Sequence, residues 1–173
     1  GPSARIRSMT GFVSTPASPS SGTVTLDGVE IRYAGLEPIL IASGTLTDVV
    51  FNLTAGNDAD AVLEPDGANL KLSGGTFETT SFTKPTGSLT INRGSASDTI
   101  LVNALPDFSA GLTIGSAASP FSSASLAGAV TLASGKSFAL AATSAVATGA
   151  AALAVSGGGT ISITADNLDI QSG

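Results

Sequence analysis

The feature that most constrains this chain is a succession of short segments in which apolar and polar residues alternate, each cut off by glycine or another turn residue. From Thr23 onward they read VTLDGVEIRY, DVVFNLTAG, NLKLSGG, SLTINRG, DTILV, GLTIG, AVTLASG, ALAVSGGG and TISITADNLDI. A period of two over about three to six residues predicts β-strands with one face inward. Helical spacing does not persist beyond a turn. The one stretch with a claim to helix is the Ala-rich run that starts at Ala127, but Val130, Leu132, Phe138 and Leu140 fall at even spacing there. Gly135, Gly149 and the β-branched Thr and Val residues lower its helix propensity further.

The strands also repeat. FNLTAGNDADAVLE, from Phe51, aligns with LTINRGSASDTILV, from Leu89, when shifted by 38 residues. In that alignment Gly56 falls on Gly94, Asp60 on Asp98, Val62 on Ile100 and Leu63 on Leu101, and Phe51 is expected to stack on Leu89 in one column. A second interval of 23 residues takes Leu89-Thr90-Ile91 to Leu112-Thr113-Ile114 and Val130 to Leu153. Irregular intervals of this kind fit a solenoid in which corner loops vary while wall strands remain stacked.

Composition decides what such a stack contains. Charged residues are 12% of the 173, there are 21 Gly, one Tyr and no Trp, so a wide interior filled with rings is excluded and a narrow one of Leu, Ile, Val and Phe is favoured. One coil offers only a handful of buried Ile or Leu, each contributing about 1.5 to 3 kcal/mol. Ordering the backbone costs about 1 to 2 kcal/mol per residue, so stability must come from stacking on neighbours. The expected fold is therefore all-β, a parallel β-helix (β-solenoid) of right-handed sense, with an antiparallel β-sandwich as the alternative. Residues 1–22 read as a tag remnant (Gly1-Pro2) and a flexible linker carrying Pro16 and Pro19. Residues 23–173 read as the solenoid domain, with clearer repeats over 23–112 and Ala/Ser/Gly-rich coils over 113–173. Phe77, Phe82, Phe108, Phe121 and Phe138 are expected as core fillers or end plugs.

Several chemistries are excluded by residue type. With no Cys and no His there is no thiolate or imidazole zinc site, no Cys-His pair and no Ser-His-Asp triad. A net charge of -6, with Arg5, Arg7 and Arg32 too few to form a basic stripe, opposes binding to a phosphate backbone. No run of about 18 apolar residues is present to span a membrane as a helix.

The candidate metal ligands are Asn57, Asp58 and Asp60, with Asp98 at the matching turn, because calcium takes several hard oxygens from a tight glycine-containing loop. The competing reading is that Asp and Asn bond their own backbone and make the turn; Asp27-Gly28 and Asp66-Gly67 read as turn dipeptides. Asp58, Asp60, Glu64 and Asp66, with Lys71, Lys84 and Arg93, supply acids and bases for a polysaccharide-cleaving site, but Tyr33 is the only Tyr and aromatic rings to floor a sugar groove are scarce. Thr45, Thr47, Thr79 and Thr80 do not recur at coil spacing, which disfavours an ice-binding ladder. Gly157-Gly158-Gly159 has no following Lys-Ser/Thr pair and is no phosphate cradle. Asn52-Leu53-Thr54 matches a glycosylation sequon. Between Phe108 and Ala165 the only charged residue is Lys136, leaving a long small-residue surface that suits a slender solenoid or contact with another chain.

SLTINRGSASDTILVNAL resembles the repeats of very large bacterial secreted proteins, in which a hydrophobic pair, a Gly/Asp-rich turn and a DTI-like strand recur. YAGLEPI, Tyr33 to Ile39, is similar to connectors in such giant surface proteins. The resemblance covers Thr23 to Leu112; the remainder is loosely similar to β-solenoid passenger and filamentous-haemagglutinin-like adhesin sequence. It implies a structural or adhesive segment of an exported surface protein, not an enzyme and without an obligatory cofactor. The partners it implies are neighbouring repeats of the parent chain, a surface glycan or a second copy, and neither nucleic acid nor a membrane span. A carbohydrate- or calcium-binding module on a β-helix is the alternative.

Overall fold

The structure is a computed structural model and describes residues 8–35, 38–41, 44–149 and 151–171. The Gly1-Pro2 dipeptide, Arg5, Arg7 and part of YAGLEPI lie outside the described residues. In chain order the strands are β1 (Ser8–Ser18), β2 (Ser21–Leu26), β3 (Val29–Ala34), β4 (Ile39–Ile41), β5 (Thr45–Asn52), β6 (Ala61–Asp66), β7 (Asn69–Ser73), β8 (Thr80–Thr83), β9 (Ser88–Asn92), β10 (Thr99–Val102), β11 (Leu105–Phe108), β12 (Gly111–Ile114), β13 (Phe121–Leu126), β14 (Val130–Leu132), β15 (Phe138–Ala147), β16 (Leu153–Ala154) and β17 (Ile161–Ile170). No helix occurs among the described residues. The Ala-rich run that could have been helical supplies β14, β15 and β16.

The chain is all-β, with one large mixed sheet of 14 strands and a separate sheet of three. The large sheet has two limbs. In the first, β1, β5, β9, β12, the start of β15 and the start of β17 run parallel, with Phe12, Val49, Leu89, Leu112, Phe138 and Ile161 in one lateral row. The adjacent row is Ser14, Phe51, Ile91, Ile114, Leu140 and Ile163. In the second limb β6, β10, β13, the end of β15 and the end of β17 are parallel, aligning Leu63, Val102, Leu126, Ala147 and Ile170. The long strands β15 and β17 belong to both limbs. The smaller sheet aligns Leu105, Val130 and Leu153 across β11, β14 and β16.

These rows are the core. Leu89, Ile91, Leu112, Ile114, Val102, Val130, Phe82, Phe108, Phe121 and Phe138 are all buried, so these phenylalanines fill the interior as expected. Phe51 sits between Phe12 and Phe82, with ring centroids 5.6 and 5.0 Å away and inclined geometries that suit aromatic quadrupoles. Outward side chains bond from strand to strand: Asn92 Nδ2 donates to Asn52 Oδ1 at 2.9 Å and Ser88 Oγ to Asp48 Oδ1 at 2.6 Å.

Two expectations are corrected. The segment read as linker within residues 1–22 contributes β1 and the start of β2 from Ser8 onward, because Met9 and Phe12 are buried on the sheet. Prolines do not prevent this. Pro16 lies where the β1–β2 register is interrupted, a position where a missing N–H costs little. The second correction is to register. Phe51 stacks on Ile91, not Leu89; Leu89 meets Val49, and Ile100 meets Ala61 instead of Val62. Leu101 meets Val62 where Leu63 was expected. The slip is two residues between β5 and β9, which leaves every inward residue inward, but one residue between β6 and β10, where Ala61 and not Val62 lies beside the inward Ile100.

Antiparallel strands occur at the margins. β2 covers β1 and β3 covers β2 through a two-residue turn at Asp27-Gly28, whose φ angles of 46° and 84° are those of a twisted hairpin turn. Asp27 does more than turn the chain: its carboxylate accepts the backbone N–H groups of Thr10 and Gly11, both at 2.8 Å, and clips the hairpin to β1. β6, β7 and β8 form an antiparallel meander extended in parallel by β4.

Candidate functional site

The titratable groups most removed from water, Asp58 and Asp98, lie together at the corner between the two limbs. Two loops form it. Thr54 to Asp58 follows β5, and Gly94 to Asp98 follows β9 in the layer above. Both loops end in an aspartate with 0% exposure. Asp98 Oδ2 accepts N–H groups of its own loop, from Gly94 at 2.8 Å and Ser95 at 2.9 Å, while Oδ1 accepts the Asp58 N–H of the loop below at 2.8 Å. The Asp58 carbonyl in turn accepts the Thr99 N–H at 2.8 Å. One carboxylate therefore closes a turn and joins two layers.

Asp58 is held by hydroxyls. Thr76 Oγ1 donates to Oδ1 in a short hydrogen bond and Thr54 Oγ1 donates to Oδ2 at 3.3 Å, with the two hydroxyl oxygens 2.6 Å apart. Three close contacts link three groups, yet two threonines bring only two protons. A proton on the Asp58 carboxyl would supply the third. Burial pushes the Asp58 carboxyl above its usual range, the Thr76 hydrogen bond opposes that, and the neighbouring Asp98 charge adds to it.

The expected ion ligands are not drawn into one ring. Asn57 is exposed, the Asp58 oxygens face Thr54 and Thr76, and Asp60 Oδ1 accepts the Gly75 N–H at 2.9 Å. Among the described residues no three carboxylates converge as a metal-binding group. The other acids are likewise engaged: Glu64 pairs with Lys71 at 2.7 Å and accepts from Asn103 at 3.0 Å, and Asp66 accepts from Ser81 at 2.6 Å. The Lys71 hydrogen bond holds the Glu64 carboxyl below its usual range. Arg93 Nε is buried without a hydrogen-bond partner, as is the Tyr33 hydroxyl. Asn52 of the sequon is tied sideways to Thr15 and Asn92.

Sequence reasoning placed Asp98 over Asp60 and so missed its bond to Asp58. It also missed Thr54 and Thr76. Thr54 carries a local signal, a hydroxyl four residues before a loop aspartate; Thr76 has none, because it reaches the corner from 18 residues past Asp58.

Two hollows bear on a binding surface. A shallow groove on the outer face of β6, β10 and β13 is lined by Asp60, Val62, Thr99, Leu101, Ser123 and Ser125. At the β17 end an apolar hollow is lined by Leu126, Leu140, Leu153, Ile163, Leu168 and Ile170. No family model, no curated protein and no solved structure matches the chain.

Proposed function

We propose that the chain is a run of parallel β-helix coils and serves as a non-catalytic structural or adhesive segment of a large exported surface protein. The observation that carries the reading is the lateral row Val49, Leu89, Leu112, Phe138 and Ile161, where residues at irregular sequence intervals meet at the same point of successive parallel strands. Such a row is what a repeating coil produces, since each layer buries its inward side chains only against the layers above and below. Support also comes from the fate of the acids. Asp58 and Asp98, the most buried of them, bond to hydroxyls and backbone of the chain itself and hold one layer to the next. Neighbouring repeats of a parent chain are the natural partners of such a stack, and an extracellular or cell-surface setting suits a scaffold with no cysteine to oxidise.

The test has two arms. Thr90 and Thr113 are register neighbours on β9 and β12; with both changed to Cys, oxidation should give one intramolecular disulfide without loss of strand signal in far-UV circular dichroism. Failure to form it would remove the coil. For function, thermal unfolding with and without calcium and retention on a panel of polysaccharides should show no change and no retention abolished by Asp60→Asn. A calcium-dependent midpoint lost in Asp60→Asn would replace the scaffold with a binding module, and release of soluble sugar with an enzyme.

A further inference from the structure

The two ends of the large sheet are finished differently. At one end β1 is covered by β2 and β3. At the other, β17 pairs along its whole length with β15 and has no strand on its second edge among the described residues. Ile161, Leu168 and Ile170 are 45%, 47% and 73% exposed, whereas Phe138 and Ala145, the residues beneath the first two, are buried. Apolar side chains beside a row of unpaired backbone groups form a pairing edge.

The pattern of β17 indicates which partner fits. About the point between Ala165 and Asp166, ISITADNLDI has the same polarity in either direction at its four outer pairs, while the central pair sets Ala165 against Asp166. If two β17 strands lie antiparallel about that point, Ile161 meets Ile170 and Ile163 meets Leu168, apolar against apolar. Ser162 meets Asp169 and Thr164 meets Asn167, polar against polar, with each hydroxyl facing a hydrogen-bonding partner. No carboxylate faces another. Parallel in-register pairing of two copies would instead set Asp166 on Asp166 and Asp169 on Asp169, which like-charge repulsion disfavours. The bend matches too. Ile161 and Ile163 continue the rows of the first limb and Leu168 and Ile170 those of the second, so a two-fold through the bend lays each limb of one copy over the opposite limb of the other, with inward sides together.

We propose that β17 is a self-association edge, and that two copies of this chain join end to end through antiparallel β17–β17 pairing about a two-fold axis between Ala165 and Asp166. The interface is isologous and closes at two subunits. It goes beyond the scaffold reading, in which a neighbouring repeat would take the same edge, and does not depend on it, since an enzyme or a binding module with this edge would pair in the same way.

Analytical ultracentrifugation of the whole chain over a wide concentration range should show a monomer–dimer equilibrium with nothing larger. Ile170→Lys, at an exposed position, should weaken the dimer at least about tenfold while circular dichroism is unchanged. Because the chain has no cysteine, Ser162→Cys with Asp169→Cys gives a direct readout of register: oxidation should yield a covalent dimer with two intermolecular disulfides, while either single variant should not dimerise covalently under the same conditions. A monomer at every concentration, together with no covalent dimer from the double variant, would overturn the proposal and leave the edge to a further coil of a longer chain. Open-ended polymers would also overturn it, in favour of head-to-tail pairing between β17 and β3.

Discussion

The loops ending in Asp58 and Asp98 are built on one plan and use their carboxylates in opposite ways. Each loop has five residues from its first turn position to its aspartate, and each aspartate is fully covered. Asp98 is surrounded by three backbone N–H groups, donors that cannot turn away, whereas Asp58 is surrounded by hydroxyls that can rotate and a neighbour of like charge. The same side chain is thus held by fixed backbone donors in the upper layer and by rotatable hydroxyls in the lower one. The difference lies in what comes below. Asp98 has the Asp58 loop beneath it to receive its second oxygen, while Asp58 meets Thr76 from the segment after β7.

The sharpest way to break the comparison is to remove both carboxylates in turn. Asp98→Ala leaves three backbone donors without their acceptor, one of them buried and two part-buried, and takes away the bond that joins the two layers. A loss of about 4 kcal/mol is expected in urea unfolding, against at most about half of that for Asp58→Ala, whose threonines can turn to one another. Equal losses would mean that the two loops do equivalent work.

Next in size is Gly94→Ala. Gly94 stacks directly over the carbonyl of Thr54, the residue at the same point of the loop below, and a methyl group there would penetrate the Thr54 and Leu53 carbonyl oxygens. The layers would have to separate, at a cost of about 3 kcal/mol. Gly56→Ala meets only Thr54 Oγ1 at 3.3 Å and Thr76 Cβ at 3.7 Å, so its change in the same unfolding experiment should be much smaller. The contrast separates close approach between layers from glycine content as such.

The same glycine shows what was and was not legible in the sequence. Strand type and most inward faces follow from alternation, since a period of two needs no partner to be read, and the burial of Phe77, Phe82, Phe108, Phe121 and Phe138 follows from residue type, Phe77 lying outside any strand. The shorter interval was legible too: Leu112 does stack on Leu89 and Leu153 on Val130. The longer interval was set by matching Gly56 to Gly94, because glycine resembles glycine. Yet Gly94 is glycine on account of the Thr54 carbonyl beneath it, and the true match pairs Gly94 with a threonine. The corner hydrogen bonds, not side-chain similarity, choose between registers that differ by two residues at β5–β9 and by one at β6–β10. β1 was illegible for a related reason: proline and serine mark a loop locally, while Met9 and Phe12 become strand residues only when β5 is present to pair with them.

A smaller effect distinguishes the two aspartates by pH. The folded-state pKa of Asp58 is raised above its unfolded value near 3.8. Its neutral form is therefore favoured by folding, and its contribution is fully present below the unfolded value and is lost as pH rises through the raised folded value. Asp58→Asn keeps a neutral group that can accept from Thr76 and donate to Thr54. The variant should lie within about 1 kcal/mol of the parent near neutral pH and should flatten the decline in stability on raising the pH from about 4. A variant that retains the full decline would assign it to another group.

The smallest expected effect has the opposite sign and serves as the control. Glu64 on β6 is paired with Lys71 on β7 and with Asn103, and its folded pKa lies below its unfolded value of 4.5. Its contribution is present above that value and is lost as pH falls through the lowered one. Both partners are about one third exposed, with side chains at 35% and 29%, so water and salt screen the pair and little stability is at stake. Glu64→Gln should slightly reduce the loss of stability on acidification, and the change should shrink further in high salt. Asp58→Asn should keep its effect in the same salt, because that corner is closed to ions. If salt erased both effects alike, Asp58 would have to be in contact with solvent, and the distinction between a buried corner and a surface pair would fail with it.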